Sequence, residues 1–255
     1  MSPASRPASG NAAAFVPSIA SRERTPRLGV SVVFDLVDAI VRGDIHPGSS
    51  LPPEAVLCEQ FAVSRTVIRE SVKRLEEKGL VTVAQGRGTI VQPADAWNML
   101  DETVLSAMVA NDATLGVLDD LSAVRANLEG LIARDAARVR SDEQLAELSD
   151  ALQLMRDTIG DEHEFNEADV VFHSVVGRMT DNRLADNIVR TLFHQARVSA
   201  RYSRKSVLEI TMDEHIRVFE AIEAGDPDAA EAAMRSHILD AWERRRPPSK
   251  RHRPV

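Results

Sequence analysis

Cys58 is the only cysteine in the 255 residues of this chain. No intrachain disulfide is therefore possible, and a reducing, cytoplasmic setting is expected. Cys58 falls in an apolar helical pattern with Phe61 and reads as core; a redox sensor is the alternative. No stretch approaches the ~20 uninterrupted apolar residues that a membrane span needs. A repeat of fixed period is also missing. Positive charge is short as well: the formal net charge is −8. That sign argues against a nucleic-acid partner only until the charges are located. Residues 93–243 hold 14 basic and 30 acidic residues, whereas residues 64–90 hold 6 basic and 3 acidic ones. The acidic excess belongs to the middle of the chain, and a local basic footprint survives in front of it.

That footprint lies in residues 53–91, which read as helix, tight turn, helix and a two-stranded hairpin. Ser64 is a good N-cap, and Val63 with Ile68 has the spacing of a hydrophobic staple. Ile68, Val72 and Leu75 form an apolar stripe. Arg65, Arg69 and Lys73 form a second stripe beside it, with no partner foreseen inside the domain. A helix with one face for a core and one basic face suits the DNA major groove, where arginine can pair bidentately with guanine. After Gly79, Val81 and Val83, then Ile90 and Val91, bracket Gln85-Gly86-Arg87-Gly88. A Gly-rich hairpin tip can approach a backbone closely, and Arg87 can meet a phosphate. The candidate DNA face is thus Ser64, Arg65, Thr66, Arg69, Lys73 and Arg74 on the helix, with Gly86, Arg87 and Gly88 at the tip. The bland alternative is a helical hairpin with a solvated charged face.

Upstream, Val33, Phe34, Val37, Ile40 and Val41 have helical spacing, and Gly43 ends that helix. From Leu118 onward there is no β-branched alternation. Helices are expected near 118–140, 142–159, 163–179, 182–203, 207–224 and 227–245, with a linker helix near 96–110. Ser141 with Gln144 has a capping-box pattern, and Gly225-Asp226-Pro227 reads as C-cap, N-cap and N1. The expected fold is mainly α with a small β wing: an N-terminal winged helix-turn-helix (28–93), a linker (94–117) and a C-terminal all-α bundle (118–243). Residues 1–27 read as a disordered tail. Residues 244–255 read as a basic tail, either solvated or a non-specific DNA contact.

Four residues of the bundle carry unusual chemistry. Asp169 and His173 lie one turn apart, beside an apolar face of Phe165, Phe172 and Val176. His215 falls among Met212, Phe219 and Ile222, and His237 among Ala230, Ala233, Met234 and Ala241. One histidine on an apolar face is usually a satisfied core residue. Three entering one bundle, with a carboxylate beside the first, are better explained by a divalent metal; this ligand set suits zinc, nickel, iron or manganese. Arg125 lies on the apolar face of its helix among Leu121, Leu128, Ile132 and Ala136. It needs a partner there. Spacing leaves two open: Glu129 one turn on, or the carboxylate of a ligand.

The motifs GDIHPGSSLPPE, VSRTVIRESVKRLEEKGLV and GRGTIV resemble the winged helix-turn-helix of GntR-family bacterial regulators. One departure stands out: Ala55 occupies a position that is usually basic in that family, so a usual DNA contact is expected to be missing. RANLEGLIARDAA, DVVFH, HIRVFEAIEAGD and AAMRSH resemble the FCD ligand-binding domain of the FadR subfamily. The resemblance implies that Asp169, His173, His215 and His237 bind a divalent metal, zinc before nickel, manganese or iron. It implies a small organic acid as effector, with Arg125 contacting it. It further implies a homodimer on double-stranded operator DNA, a repressor of a catabolic operon, and no enzymatic activity. Two other readings predict different behaviour. A metalloenzyme would turn over small acids, and a constitutive DNA binder with a structural metal would answer to no small molecule.

Overall fold

The computed structural model describes residues 26–84, 86–113, 116–198 and 208–245, with side chains from 29 to 192 and 208 to 244 within them. Both expected tails, Gln85 and the end of the expected 182–203 helix lie outside these residues, apart from the tail residues at 26–27 and 244–245. The N-terminal part is built from α1 (Pro26–Val41), α2 (Glu54–Phe61), α3 (Arg65–Glu77), β1 (Val81–Ala84) and β2 (Gly88–Val91). Helix α1 starts earlier than its apolar pattern suggested, with Pro26 in the first turn, where a missing N–H costs little. Ala62, with φ 53°, turns the chain between α2 and α3. Ser64 then caps α3, its hydroxyl accepting from Val67 N–H at 3.4 Å. Ile68 and Leu75 of α3 are fully buried against Val33, Val37 and Ile40 of α1. β1 and β2 pair antiparallel, Val81 opposite Val91 and Ala84 opposite Gly88. This is the expected wing, and Ser50 bridges to Ile90 on its other edge.

Gly79 joins α3 to the wing at φ +75°, and a Cβ there would clash with the Ala96 carbonyl oxygen. Both the backbone angle and the space demand glycine. Gly79→Ala is expected to cost about 2–3 kcal/mol of stability. A thermal melt should show it as a loss of roughly 5–10 °C; an unchanged melt would mean that the Ala96 segment gives way freely.

The linker is less helical than expected at its start. A short 3-10 turn covers Ala94–Ala96, and α4 begins only at Glu102, capped by the Asp101 carboxylate on the N–H groups of Thr103 and Val104. Asp101 also takes Lys78 Nζ at 2.5 Å, and this double engagement fixes where the helix starts. Helix α4 (Glu102–Asn111) packs in two directions. Val104 and Ala107 join the core of the winged part, while Leu105 and Val109 pack with Leu118, Leu121, Leu192 and Trp242.

The bundle comprises α5 (Gly116–Val139), α6 (Asp142–Asp157), α7 (Glu162–Arg178), α8 (Arg183–Val198), α9 (Leu208–Ala224) and α10 (Pro227–Arg245). The Ser141–Gln144 capping box forms, with both reciprocal hydrogen bonds present. Gly225 adopts φ +67°, and the Asp226 carboxylate accepts from Ala229 N–H at 3.0 Å, so the corner before α10 is as the sequence suggested. Helix α10 ends at Arg245, the end expected for the 227–245 helix, so the first two residues of the basic tail, Arg244 and Arg245, are helical. Arg244 stays with the helix because its guanidinium grips a buried carboxylate on α9. Helices α5, α7, α9 and α10 surround the core, in which Phe165, Phe172, Val218 and Ile222 are essentially inaccessible. Among the described residues, no helix is long and apolar enough to cross a membrane.

Candidate DNA face and metal centre

The candidate DNA residues are all exposed. Arg69 and Lys73 of α3, with Arg87 and Gly88 of the wing, line one groove of about 590 Å³. Glu76 ties the two sides together, its carboxylate accepting from Val83 N–H at 3.1 Å. Ser64, Arg65 and Thr66 form the N-terminal end of α3 and its cap, the end that reaches base edges in a major-groove docking. Arg74 is placed elsewhere. It lies about two and a half turns beyond Arg65, hence on the opposite side of α3, in a groove with Val30, Phe34, Lys78 and Asp101. The expectation that the basic stripe has no partner within the domain fails at Arg69. Its Nε donates to both carboxylate oxygens of Glu54, at 3.0 and 3.1 Å. Glu54 begins α2, fifteen residues back, and no local periodicity pointed to it.

In the bundle, Asp169, His173, His215 and His237 come together. One ligand atom from each lies within 4.8 Å of all the others. Helix α7 supplies the first two, one turn apart, α9 supplies His215, and α10 supplies His237. His215 has no exposed surface at all, and the other two imidazoles are buried. Phe172 stacks edge-on against His215 with centroids 4.8 Å apart, so that ring is held by packing as well as by polar contacts.

The partners on the far side of each ring determine which nitrogen faces the centre. His215 Nδ1 lies 2.8 Å from the Thr211 carbonyl oxygen, which can only accept, so Nδ1 carries the hydrogen. His237 Nδ1 lies 3.2 Å from Glu214 Oε2. Glu214 is itself gripped by Arg244, whose Nη1 and Nη2 reach its two oxygens at 2.7 and 2.5 Å. His173 Nδ1 lies 2.5 Å from Glu129 Oε2. Burial pushes the Glu129 carboxyl up, but Arg125 and His173 outweigh it and bring it down to about 2. Glu129 is therefore an anion and an acceptor. Each imidazole thus presents the lone pair of Nε2 inward.

Those lone pairs face one another and a carboxylate. His215 Nε2 is 2.9 Å from Asp169 Oδ1, yet it is a buried nitrogen with no hydrogen bond. His237 Nε2 and His173 Nε2 are 3.3 Å apart. Burial alone would raise the Asp169 pKa, but the contact with His215 and the neighbouring imidazoles hold it well below the usual carboxylate range. Four acceptors converge, and a cation is what such a set accommodates. The same demand appears in the imidazoles. Burial disfavours charge on His173, but Glu129 outweighs it and raises its pKa; His237, buried beside His215 and His173, is pushed down and stays neutral. The donor set of one carboxylate and three imidazoles therefore fits a divalent transition metal.

Of the two partners that spacing left open for Arg125, Glu129 is in contact with it. Arg125 Nε and Nη2 both donate to Glu129 Oε1, at 2.9 and 2.8 Å. Glu129 thus bridges Arg125 and His173. Beside this pair opens a cavity of about 210 Å³, lined by Ile132, Val176, Val189 and Met234 and reached by Arg190, which is ion-paired with Asp186. Sequence reasoning missed the role of Glu214 and Arg244. The signal for the first was present: Thr211, Glu214 and Val218 share helical spacing and are all buried, so an acid stands in an apolar stripe.

A winged helix-turn-helix joined to an α bundle defines a class, the DNA-binding transcription regulators. Residues 28–91 match the model for bacterial regulatory proteins of the gntR family, and residues 120–240 match the FCD domain. The chain is 35% identical to the galactonate operon transcriptional repressor of Escherichia coli (strain K12), over 84% of this chain and 94% of that protein. It is 30% identical to the transcriptional repressor NanR of Enterobacter sp. (strain 638), over 83% of each. The solved structure of Lar, which controls the expression of the Listeria monocytogenes agr system, superposes with a TM-score of 0.57. That likeness covers 88% of this chain and 98% of the other at 18% identity, and bears on the fold alone. The chain belongs to the GntR family of bacterial regulatory proteins and carries an FCD domain. It is a DNA-binding transcriptional regulator and not an enzyme.

Proposed function

We propose that the chain is a repressor whose hold on operator DNA is governed by a small organic acid bound in the bundle at a divalent metal. Asp169, His173, His215 and His237 would hold the ion, zinc before nickel, manganese or iron. When bound, such an ion supplies a positive centre to which a carboxylate can be drawn. The single observation that carries this reading is the buried His215 Nε2, a lone pair with no hydrogen-bond donor, 2.9 Å from the Asp169 carboxylate. Arg125, fixed on Glu129 next to His173, adds a second positive charge for the effector's carboxylate. One relative is named for repressing the galactonate operon and another, NanR, is named a transcriptional repressor, which supports reading this chain as a repressor that answers to an acid. The chain would act as a homodimer in the cytoplasm, each protomer setting its α3 in a major groove. Coupling of ~1–3 kcal/mol between effector and DNA, a ~5–150-fold change in affinity, would suffice for a switch.

The test is a gel-shift titration with a panel of small organic acids on metal-loaded, chelated and His215→Ala protein. An acid should release DNA from the first only. Equal release from all three would remove the metal from the switch. The DNA face has its own test. Arg69→Ala should weaken operator binding roughly ten- to a hundredfold and random-DNA binding far less. Arg87→Ala should weaken both alike and reduce the salt slope by about one. Equal losses on both DNAs for Arg69→Ala would reassign that residue to a phosphate.

A further inference from the structure

The Glu54–Arg69 pair sits where an acid is least expected. Both side chains are well exposed, at 42% and 67%, and both line the groove that also holds Lys73 and Arg87. An exposed ion pair contributes little to folding. A carboxylate facing DNA repels phosphates and weakens non-specific binding. The other acid of that groove, Glu76, has a structural task on Val83 N–H. Glu54 has none of that kind; all its described polar contacts go to Arg69.

The geometry of the contact suggests what it does. Both Glu54 oxygens engage Nε, one edge of the Arg69 guanidinium. The contacts with Glu54 use neither terminal nitrogen, so the fork of Nη1 and Nη2 is left for another partner. That fork is the half of the group that can match O6 and N7 of guanine end-on. An unsupported arginine on an exposed helix face samples many rotamers, and ordering it costs side-chain entropy when DNA arrives. A carboxylate on the Nε edge removes much of that cost beforehand and excludes other orientations.

We propose that Glu54 is a positioning residue for sequence readout: it holds Arg69 by the Nε edge so that the terminal fork meets a base, lowering overall DNA affinity while raising discrimination. This rests on the reading that Arg69 contacts a base.

The test uses the full-length chain, an operator selected from random duplexes by the wild-type protein, and a random duplex of equal length. Dissociation constants are measured for wild type, Glu54→Ala, Glu54→Gln, Arg69→Ala and the double variant Glu54→Ala/Arg69→Ala. Both Glu54 variants remove one negative charge, so both should bind random DNA about two- to threefold more tightly. The operator-to-random ratio should fall about tenfold in Glu54→Ala. It should fall much less in Glu54→Gln, whose amide oxygen can still accept from Nε. In the Arg69→Ala background, Glu54→Ala should change the ratio no further. A first-turn acid that only supports α2 would behave differently. Glu54→Ala would then lower the melting temperature and leave the ratio intact, and the proposal would fall. Equal ratios in the two Glu54 variants would overturn it too, by reducing the effect to charge. If Arg69→Ala itself leaves the ratio unchanged, the base contact is wrong, and the role of Glu54 goes with it.

Discussion

Chelation of the metal-loaded chain should lower its melting temperature by about 8–16 °C. Asp169, His173, His215 and His237 come from α7, α9 and α10, so one ion bound to all four ties three helices together. Its binding energy is then partly folding energy of the bundle. At a thousandfold excess of free ion over the dissociation constant, linkage gives about 4 kcal/mol. For a chain of this size that corresponds to the stated shift. His215→Ala should melt below the chelated wild type, at the same temperature with and without metal, and should retain no stoichiometric metal by elemental analysis. The substitution also leaves a hole beside Phe172, since that ring packs on His215. Comparing the variant with chelated wild type isolates that cavity cost, roughly 1–3 kcal/mol; the response to added metal isolates the ligand role. Operator binding by the winged part should survive in both, because α3 and the wing contain none of the four ligands. A wild-type melt that ignores both metal and chelator would leave the four converging acceptors without a cation.

What was legible in the sequence is what lies close along it. Asp169 and His173 announce themselves by standing one helical turn apart, and His215 and His237 by interrupting apolar stripes. The caps at Ser64, Ser141 and Asp226 are likewise local, each an acceptor three residues ahead of the N–H it takes. The partners that tune those residues are not local. Glu214 meets His237 across 23 residues and Arg244 across 30, and Glu54 meets Arg69 across 15. Periodicity places a side chain on a face of its own helix and says nothing about which helix covers that face. Glu129 shows both sides of this limit. Its pairing with Arg125 was readable as a one-turn spacing, but its contact with His173 depends on how α5 crosses α7. The start of α4 was misjudged for a related reason: Asp101 is held by Lys78 as well as capping the helix, and only the fold brings Lys78 there.

Glu214→Ala should be among the most damaging single changes in the bundle, costing about 3 kcal/mol of stability and roughly ten- to a hundredfold in metal affinity. Glu214 is only 4% exposed, and its carboxylate accepts two hydrogen bonds from Arg244 while facing His237 Nδ1. Its removal leaves the Arg244 guanidinium uncompensated. That side chain keeps 22% of its surface, so the penalty falls at the lower end for a broken buried pair. The second loss is the acceptor that keeps the hydrogen of His237 on Nδ1. Without it the ring can turn or change tautomer, and Nε2 no longer faces the centre as a fixed lone pair. The two losses can be separated. In the double variant Glu214→Leu/Arg244→Met both charges are gone and apolar groups of similar volume replace them, which should restore most of the stability. Metal affinity should stay low in that variant, since His237 Nδ1 still lacks its acceptor. Isothermal titration with zinc and thermal melts on the two variants and wild type give both readings. Wild-type zinc affinity in Glu214→Ala would reduce Glu214 to a counter-ion for Arg244, with His237 oriented by packing alone.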